Sequence, residues 1–190
     1  MTDLVLRCAT YEDLLKVPDH LVAELIDGEL YTSPRLAPRH SNVMTLLGSD
    51  LNVRFQRGRG GPGGWWILDM LQLRLAAESL VPDIVGWRRE RLPNLPDTAT
   101  IDVAPDWVCE VQSPSTALFD RVKKLPVYAG QGVQHVWLVD PAVRTLEVLR
   151  LENRRWILLG NYSDDDIVRA EPFEAVQIEL GALWIDGPAS

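Results

Sequence analysis

Cysteine is scarce in this chain of 190 residues: only Cys8 and Cys109 occur, one near the terminus and one inside an apolar stretch. That excludes a disulfide framework and offers no zinc-ligand spacing, so both are read as free thiols. Long apolar runs are missing as well, since none approaches the ~20 residues needed to cross a bilayer. Met1-Thr-Asp-Leu-Val-Leu-Arg7 lacks the basic start and apolar middle of a secretion signal, so a cytoplasmic protein with no membrane partner is expected. Basic charge is short too. A formal net charge of −8 argues against a non-specific, high-affinity nucleic-acid binder, whose usual footprint is a basic patch on a basic domain. No internal repeat or linker breaks the chain, and no Ser/His/Asp order or Cys/His pairing supports covalent catalysis.

What is present is ordinary globular composition, with 46% hydrophobic and 24% charged residues, enough for one domain over residues 1–190 with one sizeable core. The charge is unevenly spread. Residues 161–190 hold Asp164, Asp165, Asp166, Glu171, Glu174, Glu179 and Asp186 against Arg169 alone. Arg35, Arg39, Arg54, Arg57 and Arg59 face only Asp50 between positions 35 and 59, and Arg88, Arg89 and Arg91 surround Glu90. Such groups are more often a solvated surface than a binding patch.

Thr10-Tyr-Glu-Asp13 reads as a capping box with Asp in place of Glu, opening a short helix that Pro18 ends. Asp27-Gly28 between apolar flanks predicts a hairpin, with Glu24 just ahead of the first apolar pair. Val43, Met44, Leu46, Leu47, Leu51 and Phe55 recur at helical spacing and predict a long helix over about 38–57. Five glycines between Gly58 and Gly64 lead into Trp65-Trp66 without the Lys-Ser/Thr ending of a phosphate-cradling loop, and so predict a turn. Two strands are expected over 65–75 and 80–87, then a polar, proline-marked loop to Ala104. A strand at about 106–112, a helix to about Gly130 kinked at Pro126, and a buried strand at His135–Asp140 follow. A further hairpin is expected around Glu152-Asn153. This order indicates one α/β domain with a mixed sheet. The tryptophans mostly fall in strands and read as sheet packing, and His135 as a satisfied core or interface histidine.

Glu110 is the informative residue. In the strand Pro105-Asp-Trp-Val-Cys-Glu-Val-Gln112, the side chains of Asp106, Val108, Glu110 and Gln112 share one face, while Trp107, Cys109 and Val111 share a core face. A carboxylate inside so apolar a strand must be hydrogen-bonded, paired or metal-bound, because an isolated buried charge is very costly to desolvate. Asp106 lies ~13 Å along the strand from it, too far for one metal ion. Asp83, after Pro82, begins an apolar strand that would pair beside that of Glu110. Two carboxylates converging from neighbouring strands suit Mg²⁺, a hard ion taking oxygen ligands. Hydrolysis of a phosphodiester then needs an activated water and a cation beside the metal. The helix after Thr116 offers Lys124, on one face with Asp120 and Tyr128. Read from the residues alone, Asp120 and Lys124 make a surface ion pair worth ~0.3–0.5 kcal/mol.

Pro82-Asp83, Glu110-Val-Gln112 and Lys124, with Ser113-Pro-Ser115 between them, resemble the PD-(D/E)XK nuclease superfamily. The run Glu110-Val-Gln-Ser-Pro-Ser-Thr116, Asp120, Lys124-Leu-Pro-Val-Tyr128, Gly132-Val133 and Trp137-Leu-Val-Asp-Pro141 is similar to its Uma-type "putative restriction endonuclease" family. Glu24-Leu-Ile-Asp-Gly-Glu-Leu30, His40 and Val81-Pro-Asp-Ile84 extend the likeness over most of residues 10–150. It implies a restriction-endonuclease-like mixed β-sheet flanked by helices, with added hairpins at its N- and C-terminal sides. It also implies Mg²⁺-dependent cleavage of DNA, with Mn²⁺ as a substitute, by a homodimer. Asp83 and Glu110 would hold the metal, with Glu24 as an added carboxylate. The superfamily's lysine position falls on Gln112, which is neutral; the resemblance moves that lysine onto the helix as Lys124. Gln112 would orient the water, Tyr128 would support Lys124, and His40 would touch the metal site or the DNA backbone. From the residues alone, His40 reads rather as a polar residue near a helix start, and Glu24 equally as a flank of the hairpin. The alternatives are a catalytically silent nuclease-like domain for protein interaction or DNA binding, and a phosphohydrolase for something smaller than DNA. Clustering of the arginines on the face of Asp83 and Glu110 would favour a nucleic-acid substrate, and their dispersal the other two.

Overall fold

The computed structural model describes residues 8–34 and 37–185. The start of the chain read for a signal, together with Arg35 and Asp186, lies outside the described residues. Helix α1 (Tyr11–Leu14) begins at the expected box: the Thr10 hydroxyl accepts from the Asp13 N–H at 3.4 Å, and the Asp13 carboxylate accepts from the Thr10 N–H at 3.0 Å. Strands β1 (Leu21–Ile26) and β2 (Glu29–Pro34) form the expected hairpin. Asp27 and Gly28 have φ of 53° and 72°, the left-handed pair a two-residue turn needs to match strand twist.

The two strands expected over 65–87 are four: β3 (Trp65–Asp69), β4 (Leu73–Leu75), β5 (Glu78–Leu80) and β6 (Ile84–Arg88). Met70 and Ala76 take left-handed φ of 48° and 57°, which end an extended run whatever its apolar content. The β4–β5 hairpin therefore leaves the main sheet and joins the first hairpin in a small sheet of order β2-β1-β5-β4. The main sheet adds β7 (Trp107–Val111), β8 (His135–Asp140), β9 (Thr145–Glu152) and β10 (Arg155–Ser163), in the order β10-β9-β8-β7-β6-β3. In this sheet β7 and β8 pair in parallel across a helical crossover while its other described strand pairs are antiparallel, so the sheet is mixed as expected. The last hairpin turns at Asn153-Arg154, one residue later than expected.

Every side chain of β7 is buried, because a core lies on each side of it. Trp107, Cys109 and Val111 pack with Val43, Leu47, Leu51 and Phe55, while Val108 packs with Tyr128, Val136 and Leu80. The first set of partners is spaced by four residues. An α-helix advances 3.6 residues per turn, so each such step drifts by about 40°. Helix α2 (Pro38–Leu51) runs into a π segment (Asn52–Gln56), whose wider turn absorbs the drift and keeps Phe55 on the buried face. The crossover repeats this device: α3 (Ala117–Phe119), a π segment (Asp120–Lys124) and α4 (Leu125–Gly130). Here the π segment ends two residues before Pro126, the residue expected to kink the helix, where an ordinary turn would meet the proline ring. No helix among the described residues is long and apolar enough to cross a membrane.

Candidate active site

Strand register brings the first two acids together. Ile84 stands across from Cys109, and continuing that antiparallel register sets Asp83 opposite Glu110. The Val111 N–H donates to Asp83 Oδ2 at 2.7 Å, so a backbone group of β7 fixes a side chain of its neighbour. His40, in the first turn of α2, meets the same oxygen through Nε2 at 3.2 Å, and its Nδ1 is buried without a hydrogen-bond partner. Glu24, on β1, reaches in from the small sheet and accepts from the Val81 N–H at 2.8 Å.

Lys124 ties these elements together. Its ammonium lies 3.1 Å from Glu24, 3.2 Å from Glu110 and 3.7 Å from Asp120, and 3.5 Å from the Val81 carbonyl. The second oxygen of Glu110 accepts from the Tyr128 hydroxyl at 2.5 Å. Asp120, Lys124 and Tyr128 occur at four-residue spacing, and the π segment aligns them on one inward face. Glu24, His40, Asp83, Glu110, Asp120 and Lys124 all line a cavity of about 230 Å³. Each of the six is buried.

Four carboxylates here face one ammonium, and the proton affinities follow. Burial raises Glu110 well above the ordinary glutamate value; Lys124 opposes the rise, and Asp120, Asp83 and Glu24 add to it. Burial likewise lifts Asp120 to about 6, against Lys124 and with Asp83 and Glu24. Burial disfavours the charge on Lys124, but Glu110, Glu24, Asp120 and Asp83 overcome it and hold the group well above an ordinary lysine. Lys124 is thus an ammonium at neutral pH. Burial and Glu110 also raise the Tyr128 phenol, which stays a donor.

The chain matches the family model Uma2, described as "Putative restriction endonuclease", over residues 8–182. The chain belongs to that family. No curated protein matches it. Among solved structures, the "putative nuclease belonging to DUF820" from Anabaena variabilis aligns with a TM-score of 0.73 at 24% identity, covering 92% of this chain and 96% of that one. The two share a fold. The family to which the chain belongs is thus one described as restriction-endonuclease-like, and the shared fold agrees with that architecture.

Of the residues singled out in the sequence, the Uma2 fold brings together Asp83, Glu110, Lys124, Glu24, His40 and Tyr128. Gln112 is not among them. It is buried just past β7, but its Oε1 accepts from Arg121 at 3.3 Å and its side chain does not line the cavity. Asp120, half of a surface ion pair by the sequence alone, is instead a buried cavity acid, and its four-residue spacing from Lys124 and Tyr128 is the signal for it. Arg54, Arg88, Arg89 and Arg91 are dispersed. Arg88 and Arg89 stack on Trp65 and Trp66 at the far end of β6, ~16 Å of strand from Asp83. Arg91 binds Asp106, and Arg54 donates to the Gln177 carbonyl. Arg39, exposed beside His40, is the member of that set nearest the cavity by its place in the chain.

Among the described residues no three His, Cys, Asp or Glu side chains are arranged to hold a metal ion as they stand. Lys124 occupies the space among Glu24, Glu110 and Asp120 instead. The donor set nevertheless suits a hard cation. It consists of carboxylate oxygens on one cavity wall, four acids facing one lysine, and burial together with that excess of acids lifts Asp120 and Glu110.

Proposed function

We propose that the protein is a metal-dependent endonuclease that hydrolyses DNA phosphodiester bonds and works as a homodimer in the cytoplasm. The observation that carries this reading is the meeting of Asp83, Glu110 and Lys124 in one cavity from three separate elements. Asp83 and Glu110, with Glu24, would hold Mg²⁺ or Mn²⁺. Such an ion supplies an activated water and neutralises charge on the phosphoryl oxygens. Lys124 stays protonated, so it orients the attacking water and stabilises developing negative charge rather than removing a proton. Tyr128 holds the Glu110 carboxylate in place, and the Val111 N–H does the same for Asp83. His40 braces Asp83 from the helix side. Gln112, turned to Arg121, has no part in orienting the water.

Two observations favour a second reading, a nuclease-like domain that binds without cutting. Arg54, Arg88, Arg89 and Arg91 are engaged away from the cavity, and both oxygens of Glu110 already have partners. The two readings separate in a cleavage assay on supercoiled and single-stranded DNA with Mg²⁺ or Mn²⁺. Wild type is compared with Asp83→Ala, Glu110→Ala and Lys124→Ala, each checked for native circular dichroism. Cutting by wild type is expected to fall by about 10²-fold or more in every folded variant. An inactive wild type, or variants that cut as well as it does, would transfer the conclusion to the silent domain.

A further inference from the structure

Strand β10 ends the main sheet, and no strand pairs with its outer edge among the described residues. It is also the longest strand, and its middle is apolar: Ile157, Leu158 and Leu159 are 41%, 55% and 36% exposed. Edge strands in soluble proteins are commonly guarded by lysine, proline or inward-pointing charge. Between Arg155 and Asp164 there is no charged residue and no proline, and the one guard is a bulge between Leu158 and Gly160.

The flanks of this neutral segment carry opposite signs. Arg154 and Arg155 stand at its start, and Asp164, Asp165 and Asp166 at its end. No ion pair within the chain engages Arg154, Arg155, Asp164 or Asp165 among the described residues. A strand with a cationic start, an apolar middle and an anionic end is complementary to itself in one direction only. Antiparallel pairing sets the arginines of one copy beside the aspartates of the other, twice. Parallel pairing sets like charges together, which disfavours it.

We propose that β10 is the dimer interface, pairing antiparallel with β10 of a second copy about a two-fold axis normal to the sheet, to give one continuous sheet of two subunits. Leu158 and Ile157 of the two copies cover one another on either face of the join. The interface gives a surface to the homodimer proposed above and is independent of the nuclease reading. Its corollary does rest on that reading. Seven strand spacings separate the two copies of β7, about 34 Å, and the two-fold turns their cavities toward opposite ends of the sheet. The two sites then cannot close on one pair of opposed phosphates, and each nicks independently.

The test is sedimentation velocity over a range of concentrations on the full chain and two charge-reversed forms, Arg154→Glu/Arg155→Glu and Asp164→Lys/Asp165→Lys. Each form repels its own copy, so its dimer dissociation constant is expected to rise by about tenfold or more. Mixed in equal amounts, the two forms attract, and dimer mass is expected to return. That recovery also excludes misfolding as the cause. Leu158→Lys, an exposed position, is expected to give a monomer with native circular dichroism. A monomeric wild type overturns both the interface and the homodimer. Variants that dimerise like wild type, or a mixture that stays monomeric, overturn the interface alone.

Discussion

Asp120 is where the burial of the cavity acids becomes measurable. Its folded-state value of about 6 lies above its ordinary 3.8, so the folded protein binds this proton more tightly than the unfolded chain. The resulting stability is fully present below about pH 4 and is lost as pH rises through about 6. Without divalent cation, wild type should lose on the order of 2–3 kcal/mol relative to Asp120→Asn between pH 4 and 7, read from urea denaturation at each pH. An equal pH dependence in both proteins would show that Asp120 titrates normally. The sequence revealed Glu110 through its strand, since an acid among Trp107, Val108, Cys109 and Val111 had to have a purpose there. Lys124 was visible through the family likeness only. Four-residue spacing from an acid describes a solvated pair as well as a buried one, and burial depends on Glu24 and Val81, contributed by a different sheet.

The elements that position these residues depend on a few backbone conformations. At Gly28 the φ of 72° and the nearness of Cys8, whose Cβ would lie 3.0 Å from an added methyl, leave no room for a side chain. Gly28→Ala should therefore cost about 1–2 kcal/mol in chemical denaturation and loosen the β1–β2 hairpin that carries Glu24. Unchanged stability would mean that the turn has other conformations open to it. This hairpin was legible because Asp-Gly leaves a compositional mark. Met70 and Ala76 also take left-handed conformations, but neither residue type advertises one, so the division of 65–87 into four strands could not be read from the sequence. The π segments fall between these cases. Repeated four-residue spacing of Val43, Leu47, Leu51 and Phe55, and again of Asp120, Lys124 and Tyr128, is the trace of a helix that must turn more slowly than 3.6 residues allow.

Across the whole molecule, the two cores meet at β7, and Cys109 lies in the middle of that seam. Burial, followed by Asp83 and Glu110, holds its thiol well above the usual cysteine range, whereas Cys8 is exposed. A thiol reagent should modify one cysteine promptly and the other only at the rate of global unfolding, as followed by mass spectrometry. Two promptly reacting thiols would mean that the main sheet opens locally. At this scale the mixed α/β sheet was legible from the alternation of helical and strand periods. The separation of a small sheet was not, nor was the dispersal of the arginines, because both follow from long-range pairing that short-range patterns do not encode.

The loop between β6 and β7 divides the cavity's residues by chain position. Glu24, His40 and Asp83 precede it; Glu110, Asp120 and Lys124 follow it. Its tip at residues 96–99 is exposed, while Leu92 and Ile101 anchor its two sides. A single proteolytic nick there would leave two fragments, each with half of the site, held together by the β6–β7 ladder and by both cores. The chain is thus laid out like a split protein, in which neither fragment alone carries the whole constellation.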